Sequence, residues 1–374
     1  MTTIDPACVA EAARVTAGSP VPVGRLYALV PAHDEEDQIG ETIESLRDQT
    51  LPPDHILVIA DNCSDRTVEI AQSYPGVEVF QTAGNTHKKA GGLNQALDML
   101  RERGTLRAED AVLVMDADSA LEGRFLEGAV RRLAMGDVAG VGGTFYGKPG
   151  GGLVGMFQRN EYARYARDVG RLQGNVLVLT GTATVFRAGV FDHVRWARSE
   201  GILPGVADRV YDTNVLTEDN ELTLALLHLG YQIISPIDCR LSTDVMTTWG
   251  DLMRQRLRWK RGALENLVDY GWTPVTRHYW GRQLLSLAGV IVIFTYLASI
   301  VWSLAVVGTL SIQPLWLAVT GIFVVERVVT VRSRGWKQML LASTLVVEMV
   351  YDLFLQAVQG VAFFQAATKQ EKKW

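Results

Sequence analysis

Two carboxylates two residues apart, Asp116 and Asp118, close an apolar run, Ala111-Val-Leu-Val-Met115. The run reads as a buried β-strand. Ligands of open α/β sheets bind at the carboxyl ends of strands, which places this pair where a substrate would lie. Hard oxygen ligands suit Mg²⁺ or Mn²⁺, ions that bind through one or two carboxylates plus substrate phosphates. The chemistry such a pair suggests is a metal–diphosphate site. An Asp-x-Asp alone is common by chance, so its weight comes from the strand end and from its neighbours.

Those neighbours are further polar groups after strand-like runs. Asp34 and Glu35 follow Leu26–Val30, and Asp61 and Asp65 follow Ile56–Ile59. Carboxylates there can accept hydrogen bonds from a ribose or a base. Asp also caps helices, and Asp34 to Asp37 could open one; capping is favoured for Asp65 and ligand contact for Asp61. Lys88-Lys-Ala-Gly-Gly-Leu-Asn94 pairs two lysines with two glycines at a helix start. It fits either phosphate contact through close backbone approach or a solvated loop. Thr180-Gly-Thr182-Ala-Thr-Val-Phe-Arg187 combines small residues with a strand, which lets a chain or ring pass close to the backbone, though a tight turn would use the same residues. Thr217-Glu218-Asp219 opens a further helix. Residue type alone favours capping there, and the alternative makes Asp219 a general base.

The elements needed to hold these groups alternate as strand, helix, strand, helix, strand from residue 25, the signature of βαβ units. The class expected is α/β, with a mostly parallel sheet. The 374 residues suffice for one large domain plus an appendage. Net charge is −5, which excludes a global basic field for nucleic acid. Three cysteines without C-x-x-C suit a reducing compartment. Mean hydropathy is +0.10, with the apolar excess concentrated after residue 283. Residues 1–24 read as a loosely held leader.

Residues 249–283 hold a basic amphipathic segment with Arg254, Arg256, Arg258, Lys260 and Arg261, and Met253, Leu257, Leu264 and Leu267 on an apolar face. Such a face before a membrane segment attracts anionic lipid. Arg258 could instead reach a diphosphate and Trp259 a sugar ring. Residues 284–310 carry no charge, more than the ~20 residues a bilayer crossing needs. Pro314–Val331 is a second apolar run, and Met339–Phe364 a third with a polar stripe of Glu348, Asp352, Gln356 and Gln359. Two or three membrane helices over 284–374 are expected, with the basic loop at Arg332–Lys337 on the cytoplasmic side.

In order, Asp61, Lys89-Ala-Gly-Gly-Leu-Asn94, Asp116-Ala-Asp118, Thr217-Glu-Asp219 and Gln255-Arg-Leu-Arg-Trp259 resemble the family-2 glycosyltransferases. The likeness is to the membrane branch of cellulose, chitin and hyaluronan synthases. The resemblance implies a GT-A nucleotide-binding domain over 25–248, followed by interfacial and transmembrane helices, at the cell membrane with the catalytic domain cytoplasmic. It implies inverting, metal-dependent transfer from a nucleotide sugar, a UDP-sugar in particular, to a glycan or lipid acceptor. Asp34, Glu35, Asp61, Lys89, Asp116 and Arg258 would bind the donor, and Asp118 with Asp116 the Mg²⁺ or Mn²⁺. Asp219, next to Glu218, would be the base, and Gln255, Trp259 and Thr182 would serve the acceptor. Two or three membrane helices are few for threading a polymer, though an oligomer could build a channel. Single addition to a lipid is therefore the alternative, and a non-catalytic sugar-nucleotide-binding subunit the runner-up.

Overall fold

The computed structural model describes residues 22–306, 308, 314–332 and 335–370. The leader up to residue 21, the end of the tail and part of the loop near Arg332 lie outside the described residues. In chain order the elements are β1 (Leu26–Ala32), α1 (Ile39–Arg47), β2 (His55–Ala60), α2 (Thr67–Gln72), β3 (Val77–Gln81), α3 (Lys88–Glu102), β4 (Ala111–Met115), β5 (Ala120–Leu121), α4 (Phe125–Leu133), β6 (Val138–Gly142) and β7 (Thr144–Gly147). They continue with α5 (Gly152–Arg171), β8 (Ala183–Arg187), α6 (Gly189–Ser199), α7 (Glu218–His228), β9 (Gln232–Ile234), β10 (Arg240–Thr243) and α8 (Trp249–Tyr270). The last are α9 (Arg277–Val306), α10 (Pro314–Val331), α11 (Trp336–Ser343) and α12 (Leu345–Ala367).

The chain divides into two compact units, Met1–Lys148 with Asp168–Asp244, and Pro149–Arg167 with Val245–Trp374. Residues 149–167 thus group with the C-terminal part. In the first unit a seven-stranded sheet runs β3-β2-β1-β4-β8-β6-β9. β1, β2, β3 and β4 pair in parallel, β8 is antiparallel to both its neighbours, and β6 pairs in parallel with β9. The sheet is therefore mixed around one reversed strand. An apolar run such as Val-Leu-Val reads the same in either direction, so patterning could not show the reversal. Both faces are covered, which explains the unbroken apolar runs: Leu29, Ile59, Leu113 and Met115 are fully buried. A second sheet, β5-β10-β7, joins antiparallel and parallel pairs.

Register sets the site. Ala32 pairs with Ala60, and Met115 with Ala183, so the ends of β1, β2 and β4 and the start of β8 share one edge. The acidic stretch after β1 does not start a helix. Asp34 to Glu36 form a turn in which Asp34 has φ 54°, and α1 begins only at Ile39. The tight turn between two strand-end loops overrides the dipole preference of its acids.

In the second unit α12 packs against α8. Its polar stripe faces protein. Glu348, almost fully buried, accepts from Asn160 (3.0 Å), Arg164 (3.3 Å) and Arg327 (2.6 Å), and Lys260 donates to Gln359 (2.7 Å). The basic patch of α8 is split: Arg256 pairs with Glu161 and Arg261 with Glu265, both arginines buried, while Arg254 and Arg258 are exposed. The apolar face also shifts, since Leu252, Leu264 and Leu267 are buried while Met253 is exposed.

Among the described residues one helix, α9, is long and apolar enough to cross a bilayer. A second span arises only if α11 and the following run Glu348–Ala367, bent by 72°, count as one. The third apolar run is thus broken at Thr344 rather than one helix. Among the described residues, the two or three crossings expected reduce to one or two.

Candidate active site

Asp116 ends β4, and its backbone N–H donates to the Thr182 carbonyl at 3.0 Å, tying it to the start of β8. Thr182 itself donates its hydroxyl to Thr180 (2.9 Å). Asp116 forms a close ion pair with Lys89 of α3, whose ammonium also donates to the Gly181 carbonyl (3.1 Å) and lies 3.6 Å from Glu218 of α7. Burial works against the Lys89 charge, but Asp116 and Glu218 outweigh it and hold the ammonium above its ordinary range. One lysine therefore links β4, the β8 approach and the start of α7.

Asp219 sits beside this lysine. Its carboxylate accepts from the Gly181 N–H (2.9 Å) and the Asn220 N–H (2.8 Å). Burial and then Glu218 push it up to about 6. Thr217 makes no side-chain cap bond to the helix it precedes. Tyr211, Leu179, Phe186 and Leu222 wall a small cavity against Lys89, Glu218 and Asp219. A carboxylate raised by an apolar wall and held by two amides is the setting of a general base.

Asp118 lies where the chain leaves β4 for β5. Ser119 donates to it at 3.0 Å and Thr243 at 3.4 Å. Burial, then Asp116, raises it to about 6, with Asp244 adding to the effect. Glu35, half-buried, is raised to about 7 by burial and by Asp118, Asp116 and Asp244. Four carboxylates thus gather at one edge, with Lys89 on Asp116 and Lys148 3.4 Å from Asp244. The donor set is oxygen only and its mutual repulsion would be relieved by a divalent cation, so these residues fit Mg²⁺ or Mn²⁺.

Asp244 is the site residue that the sequence reading missed. It follows β10 as Asp116 follows β4, so the same strand-end rule would have found it, had four residues sufficed to reveal a strand.

The donor-side candidates have distinct surroundings. Asp61 is buried and its Oδ1 accepts from Thr82 (2.7 Å), Asn85 (2.8 Å) and Asn62 (3.1 Å). Asp34 is exposed and accepts from the Ser64 N–H (2.6 Å), which holds it below the usual carboxylate range. Asp65 accepts from the Thr67 N–H (2.9 Å) and hydroxyl (2.6 Å), bracing the start of α2. Ligand-type atoms of Asp34, Cys63 and Asp65 lie within 4.8 Å of one another. The backbone and hydroxyl donors already on both carboxylates account for that cluster.

The glycines of α3 pack rather than open. A Cβ at Gly91 would lie 2.0 Å from Asn85 Oδ1, and one at Gly92 would meet Ile59 and Thr82. Asn85 holds both Asp61 and the Lys88 carbonyl. Gly91→Ala should therefore destabilise the protein by about 1–3 kcal/mol through overpacking, as chemical denaturation would show.

Gln255, Arg258 and Trp259 belong to the second unit, on α8, with Arg258 exposed and Trp259 at its surface. Residues 22–262 match the family model for glycosyltransferase like family 2.

The chain belongs to glycosyltransferase family 2.

This family-2 glycosyltransferase is 24% identical over 292 residues to a poly-beta-1,6-N-acetyl-D-glucosamine synthase of Staphylococcus epidermidis, covering 76% of this chain and 63% of that protein. The chain thus spans under two thirds of that relative's length. It is 25% identical to the probable glycosyltransferase YdaM of Bacillus subtilis, covering 94% of this chain and 86% of the other. Its fold resembles the mannosyltransferase PcManGT from Pyrobaculum calidifontis, solved with GDP-Man and Mn²⁺, at a TM-score of 0.61 and 18% identity. That likeness covers 98% of this chain and 95% of the other. The family and the GT-A-like α/β fold are shown, and the enzyme resembles polysaccharide synthases.

Proposed function

We propose that this glycosyltransferase moves a sugar from a nucleotide sugar, a UDP-sugar first among donors, to a hydroxyl of a glycan, inverting the anomeric centre. The work takes place at the cytoplasmic face of the cell membrane, anchored by α9. The observation that carries the reading is one lysine between acids of two elements, with a third acid beside them. Lys89 is ion-paired with Asp116 and lies 3.6 Å from Glu218, while the adjacent Asp219 is held by two amides and kept above the carboxylate range.

In this reading Asp219 takes the proton of the acceptor hydroxyl, and Lys89 holds Asp116 and Glu218 in place. Asp61, Asp34 and Glu35 receive the nucleoside at the ends of β1 and β2. Mg²⁺ or Mn²⁺, held by Asp118 with Asp116 and Asp244, would supply charge neutralisation for the departing diphosphate. Gln255, Arg258 and Trp259 keep the donor and acceptor roles of the family pattern.

A second reading, single addition to a lipid acceptor, is favoured by the one or two candidate spans, few for an enzyme that threads a polymer through itself. Donor screening in nanodiscs with Mg²⁺ and Mn²⁺, followed by mass analysis, tests both. A ladder of oligomers supports the first and one glycolipid the second. Nucleotide release no faster than a blank with every donor overturns transfer altogether and favours a non-catalytic sugar-nucleotide-binding subunit.

The base also fixes a pH profile. Only ionised Asp219 accepts a proton, so kcat should rise with pH through about 6 and level off above it. An unperturbed carboxylate would place the limb near pH 4. Stopped-time assays between pH 4.5 and 8.5 give the answer, and a flat profile down to pH 5 removes Asp219 from the role.

A further inference from the structure

The family pattern assigns roles to Gln255, Arg258 and Trp259, and none to Arg256 between them. The geometry of the second unit gives Arg256 the most constrained position of the four. Its side chain is 3% exposed. One guanidinium nitrogen donates to Glu161 Oε2 of α5 at 2.9 Å, and another to Gln255 Oε1 at 3.0 Å. Its Cζ lies 4.4 Å from the centroid of the Trp259 ring and 5.7 Å from that of Tyr162. The Tyr351 hydroxyl of α12 donates to the same Glu161 oxygen at 2.5 Å. Two helices thus clamp one guanidinium, and that guanidinium touches two motif residues on its own helix.

We propose that Arg256 is a positioning residue for sugar transfer, holding the Gln255 amide and the Trp259 ring in their working orientation, with Glu161 and Tyr351 as its anchor. Arginine only donates, so Gln255 must turn its oxygen to Arg256 and leave its NH₂ to donate elsewhere. Trp259, 36% exposed, loses ring freedom under an immobile cation. Both effects need the planar fork, which bonds in its plane while stacking through its face; an ammonium cannot do both. Burying a charge merely to pair it is a poor source of stability, which leaves orientation as the gain from this arrangement.

The role rests on the transferase reading, so the test has an arm independent of activity. The full chain in nanodiscs is prepared as wild type, Arg256→Lys, Glu161→Gln and Tyr351→Phe. Nucleotide release is followed with whichever of UDP-N-acetylglucosamine, UDP-glucose or GDP-mannose the wild type uses. Arg256→Lys should lower kcat roughly 10- to 100-fold, as misplaced reacting groups do, with donor KM unchanged. Tyr351→Phe, which keeps the ring packing, should give a smaller loss in the same direction. In 5-fluorotryptophan-labelled protein, the Trp259 resonance, assigned by Trp259→Phe, should shift in all three variants.

Wild-type kcat in Arg256→Lys, or a Trp259 resonance that does not move, overturns the proposal. If the wild type uses no donor, the transferase reading falls, and an unmoved resonance would still overturn the positioning role by itself.

Discussion

Asp219→Asn is expected to lower sugar transfer by about 10²- to 10⁴-fold, the span that a positioned general base contributes. Nucleotide binding should stay near wild type. The amide keeps the size of the side chain, and its single oxygen can accept from one of the Gly181 and Asn220 N–H groups, which bind different oxygens of Asp219. What disappears is the second of these bonds and the ability to take a proton. Lys89 loses one of three nearby acids but retains Asp116 and Glu218, so its charge and bridging position persist. Nucleotide affinity by calorimetry beside a transfer assay separates the effects. Loss of both together would mean that Asp219 is a structural post. Normal turnover would move the base elsewhere, with Glu218 the first candidate.

The strands were readable because a sheet covered on both faces forces continuous apolar runs, and Ile56–Ile59 and Ala111–Met115 are such runs. The edge that gathers Asp61 and Asp116 followed from strand ends alone. Short strands left no such mark: β5 has two residues and β10 four, too few for a period, so Asp244 passed unnoticed. Pairing over long sequence separations was equally hidden. Lys89 reads as a phosphate contact beside two glycines, whereas the fold turns it onto Asp116, and packs Gly91 against Asn85. Arg256 shows the same effect in the second unit. In a run of five cations it reads as part of a patch for anionic lipid, and only Glu161 of α5, itself held by the Tyr351 hydroxyl, reveals it as a buried pair. Composition reports how many charges a segment has, while their partners come from other elements.

Asp118→Asn carries the other large expectation, because it separates the fold's interest from the enzyme's. In the metal-free protein Asp118 is ionised at neutral pH against burial, Asp116 and Asp244, and its charge adds to the burial that lifts Glu35 to about 7. An acid whose pKa is higher folded than unfolded binds more protons in the native state. Its contribution to stability therefore falls as pH rises from about 4 through the raised value. Metal-free wild type should thus lose stability between about pH 4 and 7 on account of these two groups, and Asp118→Asn should flatten that slope and raise the melting temperature at pH 7.5. Divalent cation reverses the ranking. At a concentration a hundred times its Kd, Mn²⁺ should stabilise the wild type by about 2.7 kcal/mol, and the variant far less. Transfer by the variant should fall by about 10²- to 10³-fold, the scale of losing one electrostatic stabiliser of the transition state. Thermal scans at pH 5 and 7.5, with and without Mn²⁺, read all of this without a donor. A variant that keeps the full Mn²⁺-dependent rise would show that the cation is held elsewhere, and with it the crowding of acids at this sheet edge would lose its chemical purpose.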